Sequence, residues 1–161
     1  QALRTLAETR GDRIHIIYPV HRNPQVWGPV HEALGDRPGI TLLPPVDYQE
    51  MVYLMKRCRL ILTDSGGLQE EAPSLHKPVL VLRETTERPE ALAAGATRLA
   101  GTDPQRIIRE ACRLLDDPEA YATMARAGNP YGDGHAAERI ADELGLKVVG
   151  CRDVACNVST V

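Results

Sequence analysis

Residues 59–84 read RLILTDSGGLQEEAPSLHKPVLVLRE, and this stretch decides the fold. Two short runs, 59–64 and 78–84, flank a segment at 68–77 that has helical spacing of its apolar residues. Both runs are nearly continuous in apolar residues, which is typical of strands covered on both faces. The stretch therefore predicts a strand–helix–strand unit of a parallel sheet.

The same alternation extends along the chain on both sides of this unit. Further strands are expected at 13–20, 39–46 and 97–101. Further helices are expected at 26–35, 48–58, 89–95, 102–117, 118–128 and 134–145. Five strands that alternate with helices predict the α/β class with a doubly wound, Rossmann-like parallel sheet.

The expected domain covers residues 1–144, and residues 145–161 lose periodicity and are expected to form a loose, possibly disordered tail. The opening Gln-Ala-Leu-Arg lacks a methionine and resembles the tail of a helix rather than the start of a protein. We therefore expect a processed chain or a fragment.

Composition excludes several classes of function. The 161 residues carry a net charge of −3, so they lack the basic excess typical of nucleic-acid binding. With one Trp, five Tyr and no Phe, the chain is also poor in aromatic platforms for stacking bases. A run of about 18 apolar residues, which a membrane span needs, does not occur in the sequence.

The four cysteines indicate a reducing, cytosolic environment. Cys58 and Cys112 lie within apolar helical patterns and are expected to be small buried hydrophobes. Cys151 and Cys156 lack a second pair at metal spacing, so neither a zinc site nor any other metal or cofactor site is expected.

Ligands of open parallel sheets bind beyond the carboxyl ends of the strands, where four loops of this chain should meet. The loop TDSGG, residues 63–67, offers a hydroxyl at Ser65, and Gly66 and Gly67 allow close approach to the backbone. The helix that follows turns its free N–H groups and positive dipole end toward the loop. This arrangement suits a phosphate or diphosphate. The alternative is a helix start capped by Asp64 or Ser65, with glycines that only form the turn.

Two further charged residues extend the candidate site. Glu71 is four residues from Gly67 and shares its helix face, whereas Glu70 points about 100° away. Glu71 could accept hydrogen bonds from a ribose, although both glutamates could simply favour the positive end of the helix. Arg88 precedes the helix that Pro89 begins, where a cation needs a compensating anion from Glu84, Glu87 or a ligand.

The histidines carry little chemical information. His21 follows the first strand, where a lone histidine is more often structural than functional. The sequence contains no recognisable Ser-His-Asp set, metal cluster or cysteine nucleophile, so no catalytic residue is assigned.

The motifs YPVHRNP, LILTDSGGLQEEAPSLHKPVLVLRETTERPEAL, GTD and NPYGDGHAAERI occur in this order. Together they closely resemble the bacterial non-hydrolysing UDP-N-acetylglucosamine 2-epimerases, from about Gln1 to Leu144. The resemblance implies one half of a GT-B fold, namely the carboxyl-terminal, nucleotide-binding domain.

The resemblance also implies roles for individual residues. Ser65, Gly66 and Gly67 would hold the diphosphate of UDP, Glu71 its ribose, and Arg88 would reach the ligand. His21 would lie in the cleft, near a second, regulatory UDP-sugar in some members. The acidic residues that move the C2 proton, and a Gly-His-Arg histidine, would belong to an amino-terminal domain absent from this chain.

Three positions depart from the family pattern. Met51 stands where an aromatic residue usually lies near the uracil, and Val46 stands where a longer polar residue is frequent. His76 occupies a helix end where glycine is usual, which is unfavourable if the backbone there is left-handed.

The resemblance favours the UDP-sugar-binding half of an enzyme that interconverts UDP-GlcNAc and UDP-ManNAc, inactive alone and homodimeric when full length. It implies UDP or these UDP-sugars and the missing domain as partners, without nucleic acid, membrane or cofactor. The alternatives are a stand-alone, non-catalytic UDP-sugar-binding module and the donor-binding half of a GT-B glycosyltransferase. A Gly-His-Arg stretch upstream of Gln1 would distinguish the enzyme from the module.

Overall fold

The computed structural model describes residues 1–145. Helix α1 (Ala2–Arg10) confirms the helical character of the opening residues. Strands and helices then alternate through β1 (Ile16–Pro19), α2 (Pro24–Leu34), β2 (Ile40–Leu43), α3 (Tyr48–Arg57), β3 (Ile61–Thr63), α4 (Gly66–Glu71), β4 (Val79–Val81), α5 (Pro89–Ala93), β5 (Thr97–Leu99), α6 (Pro104–Asp116) and α7 (Pro118–Ala125). None of the helices within residues 1–145 is long and apolar enough to cross a membrane.

The strands pair in parallel, and this confirms the predicted α/β class. β1 pairs with β2 from Ile16↔Ile40 onward, while β3, β4 and β5 form a second parallel group with β4 at its centre. Because parallel neighbours need a crossover, each connection within a group passes through a helix.

Strand β4 shows why its sequence is continuously apolar. Val79, Leu80 and Val81 are all fully buried, although successive side chains of a strand point to opposite faces. Leu80 packs in a cluster with residues of α1, α6 and α7, whereas Val79 and Val81 pack with Met55 of α3 and the segment after α4. Helices therefore cover this strand on both sides, as the apolar run predicts.

The β1–β2 pair has a smaller core. Ile40 packs with Ala7 of α1 and Leu34 of α2, and Tyr18 is half-buried against this cluster. Burial raises the pKa of the Tyr18 hydroxyl, and the negative charge of Asp64 after β3 raises it further.

The predicted helix at 68–77 is in fact two segments. The α-helix ends at Glu71, and residues Ala72–Leu75 continue as a 3₁₀ turn. Pro73 lacks a backbone N–H, so it cannot extend the α-helical hydrogen bonds. His76 then adopts the left-handed conformation with φ of 55°, which meets the condition under which a histidine there is unfavourable.

The two cysteines within the described residues are less buried than the sequence predicted. Cys58 and Cys112 are free and half-buried, and each contacts a hydrophobic cluster. Burial raises the pKa of the Cys58 thiol. Cys151 and Cys156 lie outside the described residues.

By internal contacts the chain divides into two units, residues 1–130 and 131–161. The described part of the second unit contains α8 (Ala136–Glu143), where a helix was predicted. The expected boundary between a domain at 1–144 and a tail from 145 stays a prediction, and residues 146–161 lie outside the described range.

Candidate functional site

The loops that leave the carboxyl ends of β3 and β4 form the centre of the candidate site. They comprise residues 64–65, before α4, and residues 82–88, before α5. We call these two loops the β3–β4 rim. Parallel strands place their carboxyl ends at one edge of the sheet, which is where open α/β sheets bind ligands.

The turn before α4 keeps its serine hydroxyl out of helix capping. Ser65 occupies the cap position, yet its side chain makes no capping hydrogen bond. Its backbone N–H instead donates to Thr63 Oγ1 at 3.0 Å. Capping by the Ser65 side chain was one alternative to ligand binding, and the structure does not support that alternative. Ser65 is exposed.

The structure brings Arg88 to this turn. A Cβ built on Gly66 would lie 3.5 Å from Arg88 Nη2 and 3.7 Å from its Cζ. The half-buried guanidinium of Arg88 therefore lies beside the backbone of the glycine turn. A cation and the amino end of a helix thus converge on one spot, an arrangement that favours an anion.

Glu70 is the carboxylate that balances Arg88. Arg88 Nε donates to Glu70 Oε1, while Glu87 Oε2 lies 4.0 Å from Arg88 Nη1. The sequence pointed to Glu84, Glu87 or a ligand, and it set Glu70 aside because of its angle from Gly67. Glu70 is, however, four residues from Gly66, so it shares the face of that glycine.

Glu71 interacts with Tyr48, at the amino end of the neighbouring helix α3. The negative charge of Glu71, together with a hydrogen bond from the phenol, raises the pKa of the exposed Tyr48. Tyr48 is the first residue of α3, after the loop 44–47. Glu71 is half-buried and interacts with the amino end of α3.

A buried glutamine joins the two loops of the β3–β4 rim. Gln69 donates through Nε2 to the Ser65 carbonyl at 3.1 Å and accepts from Thr86 Oγ1 at 2.6 Å. Thr86 Oγ1 in turn accepts the Arg88 backbone N–H at 3.0 Å. Sequence patterns missed these two residues, because their pairing depends on the relative position of two loops.

The far end of the arginine loop has its own anchor. Glu84 Oε1 accepts from the backbone N–H of Thr102 at 3.0 Å and from its hydroxyl at 3.2 Å. Gly101 has φ of 68°, and a Cβ there would lie 2.8 Å from Glu84 Oε1. The GTD motif therefore provides space for the Glu84 carboxylate, whose hydrogen bonds to Thr102 anchor the loop 82–88.

The remaining predicted residues lie around neighbouring strands. His21 is exposed after β1, and its Nδ1 accepts the backbone N–H of Asn23 at 3.1 Å, so its Nε2 carries the proton in the neutral ring. Val46 is half-buried in the loop before α3. Met51 is half-buried on α3 and packs against the cluster around Met55.

A separate surface depression lies at the opposite ends of the strands. Its lining includes Arg4, Glu8, His15 and Arg37, near the amino ends of β1 and β2. Glu8 lies 3.8 Å from Arg4 and 3.9 Å from Arg37, so its charge is shared between two cations. This depression is far along the strands from the residues that the motifs single out, and it is not the candidate site.

Comparison with known proteins identifies the relatives of this chain. The family model described as UDP-N-acetylglucosamine 2-epimerase matches residues 1–145. A curated UDP-N-acetylglucosamine 2-epimerase of Escherichia coli O157:H7 is 57% identical over 143 residues, which are 89% of this chain and 38% of that protein.

Solved structures agree with this relationship. The UDP-GlcNAc 2-epimerase of Neisseria meningitidis bound to UDP-GlcNAc matches with a TM-score of 0.81 and 45% identity, over 89% of this chain and 39% of the other. The UDP co-structure of S. aureus MnaA matches with a TM-score of 0.83 and 45% identity, over the same 89% and 39%.

The chain thus spans less than two fifths of the length of the relatives that it matches. Its parallel α/β fold agrees with that of the solved epimerases, which are GT-B proteins. The resemblance to the carboxyl-terminal domain of such proteins is confirmed. A match over nine tenths of its residues shows that this chain belongs to the UDP-N-acetylglucosamine 2-epimerase family.

Proposed function

We propose that this chain is the UDP-binding half of an epimerase that interconverts UDP-GlcNAc and UDP-ManNAc. The chain would be inactive without the amino-terminal half of that enzyme. The observation that carries the proposal is the approach of Arg88 to Gly66 in a family with UDP-bound relatives. The reaction eliminates UDP, replaces the C2 proton on the other face of the sugar, and adds UDP back.

The diphosphate would lie on the turn formed by Ser65, Gly66 and Gly67. Helix geometry leaves the first N–H groups of α4 without intrahelical partners, and the glycines let phosphate oxygens reach them. The Arg88 guanidinium beside Gly66 adds a positive charge and several N–H donors. The Ser65 hydroxyl, which does not cap the helix, is a further donor.

The nucleoside would extend toward α3. The half-buried carboxylate of Glu71 would accept hydrogen bonds from the ribose hydroxyls, and its contact with Tyr48 places it at the edge of the loop 44–47. Val46 and Met51 border the same region, so they would face the uracil. His21 would line the cleft from the loop after β1.

The chemical contribution of this half is electrostatic. When the bond from the sugar C1 to the UDP oxygen breaks, negative charge develops on the diphosphate. Preorganised N–H donors and a guanidinium stabilise such charge as it forms. The same contacts would retain UDP for re-addition, while the residues that remove and return the C2 proton would come from the other half.

Calorimetric titration with UDP tests the proposal. We expect weak binding by the 161-residue chain, because it would supply one side of the cleft only. The absence of binding at millimolar UDP would overturn the phosphate assignment.

The ribose role of Glu71 has a separate test. Replacing Glu71 with Ala should weaken the affinity for UDP by about tenfold or more, because hydrogen bonds to a charged group are lost. The affinity for inorganic diphosphate should stay nearly unchanged. Glu119→Ala is the matched control, because Glu119 is an exposed acidic residue in the first turn of α7. Equal losses of affinity for UDP and for diphosphate would show that Glu71 does not bind the ribose.

Catalytic dependence on the missing half is tested by complementation. The chain alone should form no UDP-ManNAc from UDP-GlcNAc, and activity should return when the amino-terminal half of a relative is added. Turnover by the chain alone would contradict the proposal, and UDP binding without any complementation would favour the non-catalytic module.

A further inference from the structure

We propose that Gln69 and Thr86 are positioning residues that hold the Arg88 loop against the Ser65–Gly67 turn. They thereby set the geometry of the proposed phosphate-binding site. This inference rests on the proposed function, and it assigns the preorganisation of the site to hydrogen bonds among its own residues, centred on the buried Gln69. We call the hydrogen bonds from the Ser65 carbonyl through Gln69 and Thr86 to the Arg88 N–H the Gln69 bridge.

The Gln69 bridge is continuous and its polarity is defined. The Ser65 carbonyl accepts from Gln69 Nε2 at 3.1 Å, and Gln69 Oε1 accepts from the Thr86 hydroxyl at 2.6 Å. Thr86 Oγ1, which donates its proton to Gln69, accepts the Arg88 backbone N–H at 3.0 Å. Every bond therefore fixes the direction of the next one.

Burial explains why a glutamine stands at this position. Gln69 is only 2% exposed and is the most buried large polar side chain among the described residues. An amide at such a position is costly unless both its ends are paired. Glutamate would supply two acceptors but no donor for the Ser65 carbonyl, and leucine would leave the Thr86 hydroxyl without its acceptor.

The bridge sets where the Arg88 side chain begins. It fixes the backbone N–H of Arg88 relative to the Ser65 carbonyl, one residue before Gly66. The bond from Arg88 Nε to Glu70 then orients the guanidinium, so that Nη2 lies beside Gly66. Without the bridge, the arginine loop would be free to shift by the small distances that weaken hydrogen bonds to phosphate.

Removing the Thr86 hydroxyl breaks the bridge with the least change in shape. Thr86→Val should weaken the affinity for UDP by about three- to tenfold, which is the usual effect of losing one or two neutral hydrogen bonds. Thr86→Ser keeps the hydroxyl and should stay within about twofold of the unmodified chain. Uridine, which lacks phosphate, should bind both variants equally when chemical shifts are followed by NMR.

A double-mutant cycle shows whether the bridge acts through Arg88. In an Arg88→Ala background, adding Thr86→Val should cause no further loss of UDP affinity, since coupled residues are not additive. A further loss as large as in the Arg88-containing chain would overturn the positioning role. If Thr86→Val does not fold, Thr86→Ala removes the same hydroxyl with a smaller side chain.

The outcomes separate this inference from the proposed function. Failure of the unmodified chain to bind UDP would overturn both. Binding that is weakened by Arg88→Ala but unchanged by Thr86→Val would overturn the Gln69 bridge alone. Equal weakening of UDP and uridine by Thr86→Val would show a general structural defect and would also overturn the bridge.

Discussion

The two parallel groups of strands are built in different ways. Around β3, β4 and β5, helices bury both faces of the central strand, and the loops beyond β3 and β4 are joined through Gln69. In the β1–β2 pair Ile17 is 47% exposed, and the loops beyond these strands are held by local caps. Asn23 caps α2, and Asp47 with Glu50 forms a capping box on α3.

This difference indicates which loops the fold holds rigidly relative to each other. The loops proposed to hold the charged diphosphate are connected to each other through buried groups, so they can keep an arginine and a helix end at a fixed separation. The loops proposed to border the cleft and the uracil depend on contacts with their own helices, so each can change without altering the other. The predictions below test this contrast.

The largest expected effect concerns the two strand groups themselves. Leu80→Ala should lower the free energy of unfolding by about 2–5 kcal/mol, because it leaves a cavity at a fully buried position. Ile17→Ala, a matched truncation at an exposed position, should cost less than about 1 kcal/mol. Urea denaturation followed by circular dichroism measures both, and similar losses would contradict the contrast.

The second-largest expected effect on stability concerns the local helix caps. Asp47→Ala removes the side chain that accepts the Glu50 N–H at 2.8 Å, and it should cost about 1 kcal/mol. Asp47→Ser retains a capping oxygen and should recover most of the loss. This account requires that the loop before α3 is held by local contacts. A loss of several kcal/mol in the free energy of unfolding would contradict that requirement.

The left-handed residue after α4 gives a smaller effect. His76→Ala and His76→Gly both remove the contact of His76 Nδ1 with the Ala125 carbonyl, which is 3.1 Å long. The alanine variant should be about 1 kcal/mol less stable than the glycine variant, because only glycine adopts φ of 55° without strain. Equal melting temperatures would contradict a left-handed residue 76.

The smallest effect concerns an ion pair between α1 and α6, two helices that pack together against β4. Arg10 of α1 pairs with Asp116 of α6 through both carboxylate oxygens, each at 2.5 Å, and this pairing lowers the pKa of Asp116. A lowered folded-state pKa adds stability that is present above the unfolded value and is lost as pH falls through the folded one.

Asp116→Asn should therefore be slightly less stable than the unmodified chain at pH 7. The difference should begin to shrink below about pH 4, the usual aspartate pKa, and should vanish only below the lowered pKa of the folded state. Thermal unfolding at several pH values measures the difference. A difference that persists unchanged into acid would mean that the charge of Asp116 does not contribute.

The sequence was sufficient for the order of the strands and helices, whereas the site residues that it indicated stay predictions. Continuous apolar runs predicted β3 and β4, and Gly66 and Gly67, which begin α4, indicated the proposed phosphate site. The partner of Arg88 could not be predicted, because helical spacing relates Glu70 to Gly66 but does not place a loop eighteen residues away. The pairing of Gln69 with Thr86 was equally out of reach, since it depends on how two loops lie together once the sheet has formed.

The central claim is that the β3–β4 rim holds the diphosphate, and a chemical-shift map tests it most directly. The ¹⁵N-labelled chain would be titrated with UDP while backbone amide resonances are recorded. The account predicts the largest shifts at residues 64–71 and 84–88, with little change at the depression near Arg4 and Arg37. The largest shifts at that depression, with the amides of Gly66 and Arg88 unmoved, would contradict it.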